Sequence, residues 1–335
     1  MEFGLLIMHP LFTSSFRKNI LQLLIIIAFP AIVILIYVEV GLNKLDTHYL
    51  KKSEDLKSQA NNIQILSLGS SNAYFGLNPR EYSCLGFNLA FNAQSMYYDM
   101  EIIKKYIDTM PKLRIVVLPA IFYTTGTRLV GTSQDWRMYF YKQYWGLPLE
   151  LESNSINENI KRLINSKNYS KIALYSDTIY THIRDGFSGH VDYIPDKNGW
   201  YDSKDLPRLT DSIKVNSKGA FSHSLTFNES YADSNIVYWQ QIISILKAKK
   251  IEILIVRLPE DVSYYSQLDQ KKAQLFTTKI SELAKNYDVN FADYSQDKRF
   301  VTDDFTLMND HLNQDGATKF SKILNKEHLF ENCIN

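Results

Sequence analysis

Ile63–Gly76 reads IQILSLGSSNAYFG. Ile63, Ile65, Leu66 and Leu68 make a short apolar run with β-branched members, and Gly69-Ser70-Ser71 stops it abruptly. The pattern predicts a buried parallel strand that breaks into a tight turn, with serines at the strand's carboxyl end. In open α/β sheets, ligands bind just outside the carboxyl ends of the strands. A serine there is a candidate nucleophile if the fold brings a histidine to it.

The same pattern recurs along the chain after this stretch. Gly86–Phe91, GFNLAF, is a second short strand, and Gln94–Met110 carries apolar residues at helical spacing until Pro111 ends it. Leu113–Phe122, LRIVVLPAIF, is an almost wholly apolar central strand. Asn235–Lys249 is an amphipathic helix, Ile251–Leu258 a strand, Gln267–Tyr287 a helix, Asp288–Asp293 a last short strand and Gly316–Leu324 the closing helix. Alternating β and α elements predict an α/β fold with a doubly wound, mainly parallel sheet. Between residues 123 and 233 the rhythm fails. That stretch is rich in Tyr, Trp, Ser, Asn and Asp, with helices expected at Ile156–Ser166 and Tyr169–Arg184, and it reads as an insertion over the carboxyl edge of the sheet.

Ile20–Val38, ILQLLIIIAFPAIVILIYV, has Gln22 as its only polar residue. At about 1.5 Å per residue it spans roughly 28 Å, close to a hydrocarbon core. No small-residue cleavage site follows Val38, so the expectation is a retained single-span anchor rather than a signal peptide. Arg17 and Lys18 abut its amino side, favouring a cytoplasmic amino terminus, although Lys44, Lys51 and Lys52 lie beyond the other end. The expected organisation is a cytoplasmic tail (1–19), a transmembrane anchor (20–42), a stalk (43–62) and a catalytic domain (63–330) containing the insertion 123–233. For residues 43–62, a first amphipathic helix of the domain fits the sequence equally well. In this topology the domain lies outside the cytoplasm, on a cytoplasmic (inner) membrane.

The chain has 335 residues, with 37 Lys+Arg against 36 Asp+Glu, a balance that argues against a nucleic-acid partner. Its two cysteines, Cys84 and Cys333, follow no metal spacing and read as free thiols unless the fold brings them together. His182, His190 and His223, near Asp177, Asp185 and Asp192, also match no ligand pattern, and neither metal nor cofactor is expected. The aromatic group Trp136, Tyr139, Tyr141, Tyr144 and Trp145 reads as core before it reads as a sugar-stacking surface.

An alcohol oxygen is a poor nucleophile at neutral pH and needs a base and an oxyanion hole. Ser71 is the candidate nucleophile. His311, in the polar loop Asn309-Asp310-His311-Leu312-Asn313, is the candidate base. A base histidine needs an acid to fix its tautomer. Asp310 is nearest, but adjacent side chains project apart unless the loop bends, and Asn309, Asp303 and Asp304 are rivals. Asn72, Gln94, His223 and Trp200 are candidate substrate contacts.

LGSSNAYFGLNP resembles the first block of the SGNH (GDSL-like) hydrolase superfamily, with Gly-Ser-Ser in place of Gly-Asp-Ser and Ser71 at the nucleophile position. FNLAFNAQSMYYD resembles the second block, with Ala93 where the family's glycine donates its N–H to the oxyanion. NDHLNQDGATKF resembles the last block, with His311 as base. The family's acid lies three residues before the histidine, where this chain has Met308, and its Gly-x-Asn-Asp block has no counterpart after Leu118. The resemblance implies a flavodoxin-like SGNH sandwich in which Ser71 and His311 act on an acyl ester and the N–H groups of Ser71 and Ala93 hold the oxyanion. With the anchor, the chain looks most like the membrane-anchored branch that includes alginate O-acetylation and teichoic acid D-alanine transfer proteins. That branch implies O-acetylation or de-O-acetylation of an envelope polysaccharide, with an integral-membrane acyltransferase as partner. The alternative from another class is a non-catalytic envelope protein of the same fold, binding a glycan or that membrane partner.

Overall fold

The computed structural model describes residues 14–152, 155–187, 190–191, 194–210 and 219–334. Asp192, from the set of candidate metal-ligating residues, and most of the expected cytoplasmic tail lie outside them. The chain divides into two units, Met1–Leu45 with Tyr169–Gly189, and Asp46–Asn168 with His190–Asn335.

The first unit is organised on α1 (Ser14–Leu42). Within it Leu21–Leu42, 22 residues with a mean hydropathy of 2.8, is long and apolar enough to cross a membrane. A signal sequence passes the same test of length and composition. Near the end of α1 the Glu39 carboxylate accepts from the Lys171 and Ile172 N–H groups at 2.7 and 3.0 Å, and from the Ser170 hydroxyl at 3.0 Å. It thereby satisfies the orphan donors at the start of α8 (Lys171–Leu174), which α9 (Ile179–Arg184) follows. The expected helix Tyr169–Arg184 is thus two short ones.

The second unit carries a five-stranded, wholly parallel sheet in the order β3-β2-β4-β6-β7. Its strands are β2 (Ile65–Ser67), β3 (Gly86–Asn88), β4 (Ile115–Pro119), β6 (Glu252–Arg257) and β7 (Asn290–Asp293). A separate two-residue pair joins β1 (Asp46–Thr47) to β5 (His190–Val191). The helices are α2 (His48–Gln59), α3 (Ser71–Gly76), α4 (Met96–Tyr106), α5 (Phe122–Gly126), α6 (Arg137–Phe140), α7 (Ile156–Leu163), α10 (Gly219–Thr226), α11 (Glu229–Ala248), α12 (Val262–Tyr265), α13 (Gln270–Asn286), α14 (Gln314–Leu324) and α15 (Phe330–Ile334).

Strand side chains alternate between faces, and here both faces are covered, which is why the strands read as continuous apolar runs. Ile65, Ile115, Val117, Leu254 and Val256 share one core with Ala73 and Phe75 of α3 and Ala317 and Phe320 of α14. Leu66, Val116, Leu118, Ile253 and Ile255 alternate to the opposite face, where α11 packs with α4, α5 and α13.

Residues 46–62 correct the stalk. They form β1 and α2, and α2 buries His48, Tyr49, Lys52, Ser53 and Leu56. Thr47 caps α2 by accepting from the Leu50 N–H at 2.9 Å. The Lys52 ammonium donates to the Ala90 carbonyl and lies 3.9 Å from the Tyr74 ring centre. The cysteines are also corrected. Cys84 and Cys333, 249 residues apart, form a disulfide with their Cα atoms 5.3 Å apart. Trp145, Tyr141 and Tyr139 are buried, so these three aromatics are core.

Candidate active site

The site forms at the carboxyl ends of the strands. After β2 the chain turns at Gly69, whose φ of +110° is open to glycine at little cost. A Cβ there would also stand 3.1 Å from Pro119 and 3.3 Å from Ala73. Ser70 takes the N-cap position of α3, yet its side chain caps nothing. Ser71, the first helical residue, is only partly buried, and its N–H has no intrahelical acceptor.

His311 lies 18 residues beyond the end of β7, on a loop that returns across the sheet to Ser71. The loop is bent by hydrogen bonds from the His311 N–H to the Met308 carbonyl (2.8 Å) and from the Thr306 N–H to the His311 carbonyl (2.9 Å). It is held in place by the Asn309 carbonyl, which accepts from the Asp261 N–H at 2.9 Å, and by the Asn309 amide, which donates to the Ser263 hydroxyl at 2.9 Å.

This bend lets two adjacent side chains meet. His311 Nε2 lies 2.7 Å from Ser71 Oγ, and His311 Nδ1 lies 2.6 Å from Asp310 Oδ1. Asn72 Nδ2 donates to the Asp310 carbonyl at 2.7 Å and to Oδ2 at 3.2 Å. The rivals of Asp310 are engaged elsewhere: Asn309 with Ser263, Asp303 with Arg208, and Asp304 with the Val301 N–H and Lys319. Burial alone would raise the Asp310 carboxyl. The adjacent His311, together with His223 and Asn72, outweighs it and holds Asp310 well below the usual carboxylate range.

Ala93 follows β3, the strand beside β2. The two loops run together, with the Leu89 N–H donating to the Ser67 carbonyl (2.7 Å) and the Phe91 N–H to the Gly69 carbonyl (3.1 Å). Ala93 has φ +55°, the left-handed region that favours glycine. Among the described residues its N–H donates to no backbone acceptor. A cleft of about 10 Å³, room for a water-sized group, is lined by Ala93, Tyr123, Thr127 and Arg128. A larger cavity of about 370 Å³, lined by Glu260, Tyr265 and Phe300 among others, involves none of Ser71, Ala93 and His311.

Gln94 and Asn72 do not face outward as substrate contacts. Gln94 Nε2 donates to Asp99 Oδ1 at 2.6 Å, its Oε1 accepts from the Tyr141 hydroxyl at 2.8 Å, and Asn72 is committed to Asp310. Trp200 is likewise buried, its indole N–H given to the Phe75 carbonyl at 2.7 Å. His223 does reach the site. Its Nδ1 lies 2.8 Å from the Tyr264 hydroxyl and 3.8 Å from Asp310 Oδ2, and its ring centre lies 4.6 Å from that of Tyr123. Burial lowers the His223 pKa, opposed by Asp310.

Sequence reasoning missed Asp99. Its Oδ1 accepts from the Gly69 N–H (2.9 Å) and from Gln94, tying the turn that carries Ser71 to the Ala93 loop. Burial pushes its pKa up to about 7, against the lowering effect of those two hydrogen bonds. Its one signal was an acidic residue among apolar neighbours in the MYYDM turn that opens α4.

No family model and no curated protein matches the chain. Among solved structures, a candidate acylhydrolase from Bacteroides fragilis is similar at 9% identity and a TM-score of 0.40, over 85% of this chain and 97% of that one. A candidate platelet activating factor from Streptococcus pneumoniae is similar at 13% identity and a TM-score of 0.39, over 84% and 94%. No activity follows for this chain from likeness at that distance.

Proposed function

We propose that the chain is a membrane-anchored serine acyl-transfer enzyme working outside the cytoplasm. It moves an acyl group, acetyl first, from an ester to a hydroxyl of an envelope polysaccharide, or to water. The observation that carries this reading is the continuous contact Ser71 Oγ–His311 Nε2 and His311 Nδ1–Asp310 Oδ1.

With His311 neutral, its Nδ1–H donates to Asp310 and leaves Nε2 to take the Ser71 proton as Oγ attacks the acyl carbon. The Ser71 and Ala93 N–H groups receive the oxyanion. On collapse, Nε2–H protonates the departing alcohol and acyl-Ser71 remains. The acceptor hydroxyl or water then gives its proton to Nε2 and attacks the acyl carbon, and on collapse Nε2–H returns that proton to the departing Ser71 Oγ. The Cys84–Cys333 bridge belongs to an oxidising space, which supports the extracytoplasmic orientation. The missing asparagine donor after β4 favours the alternative, a non-catalytic glycan- or partner-binding protein.

The test is turnover of a chromogenic acetyl ester by the full chain in detergent, with and without oligosaccharide, followed by analysis for acetylated sugar. The wild type releases the chromophore and Ser71→Ala does not, while its melting temperature is kept. Equal activity in the two chains refutes the catalytic reading and leaves the binding one.

A further inference from the structure

Helix α7 is amphipathic in the reverse sense to an ordinary surface helix. Ile156, Ile160, Leu163 and the capping residue Ile164 recur at i, i+4, i+7 and i+8 and fall on one stripe about 100° wide. They are 75, 49, 47 and 72% exposed, and α7 buries no residue. Its attachment to its own unit is polar. Asn159 exchanges hydrogen bonds with the Glu152 backbone (3.0 and 2.6 Å), and Arg162 pairs with the Glu152 carboxylate at 3.0 Å. Asn159 and Arg162 are half-buried, while the apolar stripe points away from them. A soluble helix buries its apolar stripe, so a contiguous exposed one marks an interaction surface.

Chain connectivity says what covers it. Six residues lie between Leu163 and Ser170, a reach of at most about 25 Å, and Ser170 is bonded to Glu39 near the end of α1. In the same unit as α1, α9 also buries nothing and exposes Tyr180 and Ile183. Lys161, exposed on α7 and paired with the exposed Glu158 at 2.6 Å, and Lys167 just beyond it carry ammonium groups of the kind that meet anionic headgroups.

The geometry points to a lipid surface: α7 lies in the headgroup–acyl boundary with Ile156, Ile160, Leu163 and Ile164 inserted, as a membrane contact additional to the spanning α1. This rests on the membrane-anchored reading above and is independent of the acyl-transfer chemistry.

The test uses the full chain in vesicles of zwitterionic and anionic phospholipid. An environment-sensitive fluorophore is placed at Ile160→Cys, at Glu158→Cys on the opposite face, or at Leu24→Cys in α1. Both native cysteines are in the disulfide, so each variant has one reactive thiol. The expected result is a blue-shifted Ile160 probe, quenched most by spin-labelled lipid about 5–10 Å below the headgroups. The Glu158 probe stays accessible to aqueous iodide, and the Leu24 probe is quenched by deep labels. If Leu24 is quenched but Ile160 behaves as Glu158 does, the proposal is overturned and the anchor stands. An Ile160 probe shielded from both iodide and lipid quenchers indicates cover by a second copy and overturns it too. A Leu24 probe untouched by lipid quenchers overturns anchor and proposal together.

Discussion

Asp310→Asn is the sharpest probe of the relay, because the structure dictates which way the new amide turns. Asp310 Oδ1 is 2.6 Å from His311 Nδ1, and Oδ2 accepts from Asn72 at 3.2 Å. If the asparagine NH₂ takes the Oδ2 position, it faces the Asn72 NH₂, donor against donor. If it takes the Oδ1 position, the new carbonyl accepts from Asn72 and the NH₂ donates to His311 Nδ1, so every group is satisfied. The second arrangement therefore prevails. It moves the imidazole proton to Nε2, aimed at Ser71, and the base is lost. In either orientation the buried charge that stabilises the imidazolium is gone. The comparable change in serine proteases lowers kcat about 10⁴-fold, so a fall of about 10³–10⁴, or roughly 4–5.5 kcal/mol in the barrier, is expected here. The assay is steady-state hydrolysis of the acetyl ester, with thermal melting to show that the fold is kept. Asp303→Asn, at an exposed residue paired only on the surface, is the control and stays within about twofold. A loss of less than tenfold for Asp310→Asn refutes the assignment of the acid.

Three further outcomes follow from local geometry. Ala93→Gly relieves a left-handed alanine and keeps the N–H donor. It gains up to about 1 kcal/mol in a denaturant titration with ester turnover unchanged, whereas Ala93→Val loses on both counts. The Asp99 carboxyl holds its proton up to about pH 7 in the folded chain and only to about 4 when unfolded. Its contribution to stability therefore falls as pH rises from about 4 to 7 and is level above that. Asp99→Asn, whose carbonyl can keep the bonds from Gly69 and Gln94, is then the more stable chain at pH 8 by up to about 4 kcal/mol. The gap closes towards pH 4, and a pH-independent gap contradicts the buried, protonated acid. Replacing Cys84 and Cys333 by serine costs about 2–5 kcal/mol by melting, and reductant lowers the wild-type transition towards the same point.

What could be read from the sequence, and what could not, divides by how local the determining physics is. The strands around Ser71 and the helices α4, α11 and α13 announce themselves because burial on both faces of a parallel sheet demands continuous apolar runs, and amphipathic helices demand a period of 3.6. The charged run KKSEDLKSQ hides its own packing. Lys51 turns outward to Asp55 while Lys52 is driven under Tyr74 and Phe91, a choice made by partners far away in the chain. The same holds for the acid of the relay. Nothing about Asp310 in isolation sets it above Asp303 or Asp304. The Met308–His311 bend and the pairing of Phe305 with Leu312 turn its side chain onto its neighbour's ring. The insertion shows the limit most plainly, since Trp200 and His223 look equally able to line a groove. Trp200 is carried under α3, while His223 is carried to the back of the relay by the packing of α10 on α5 and α12. Residue type states what chemistry a side chain is capable of. Whether it is used depends on contacts such as the 2.7 Å between Ser71 and His311, closed across 240 residues of chain.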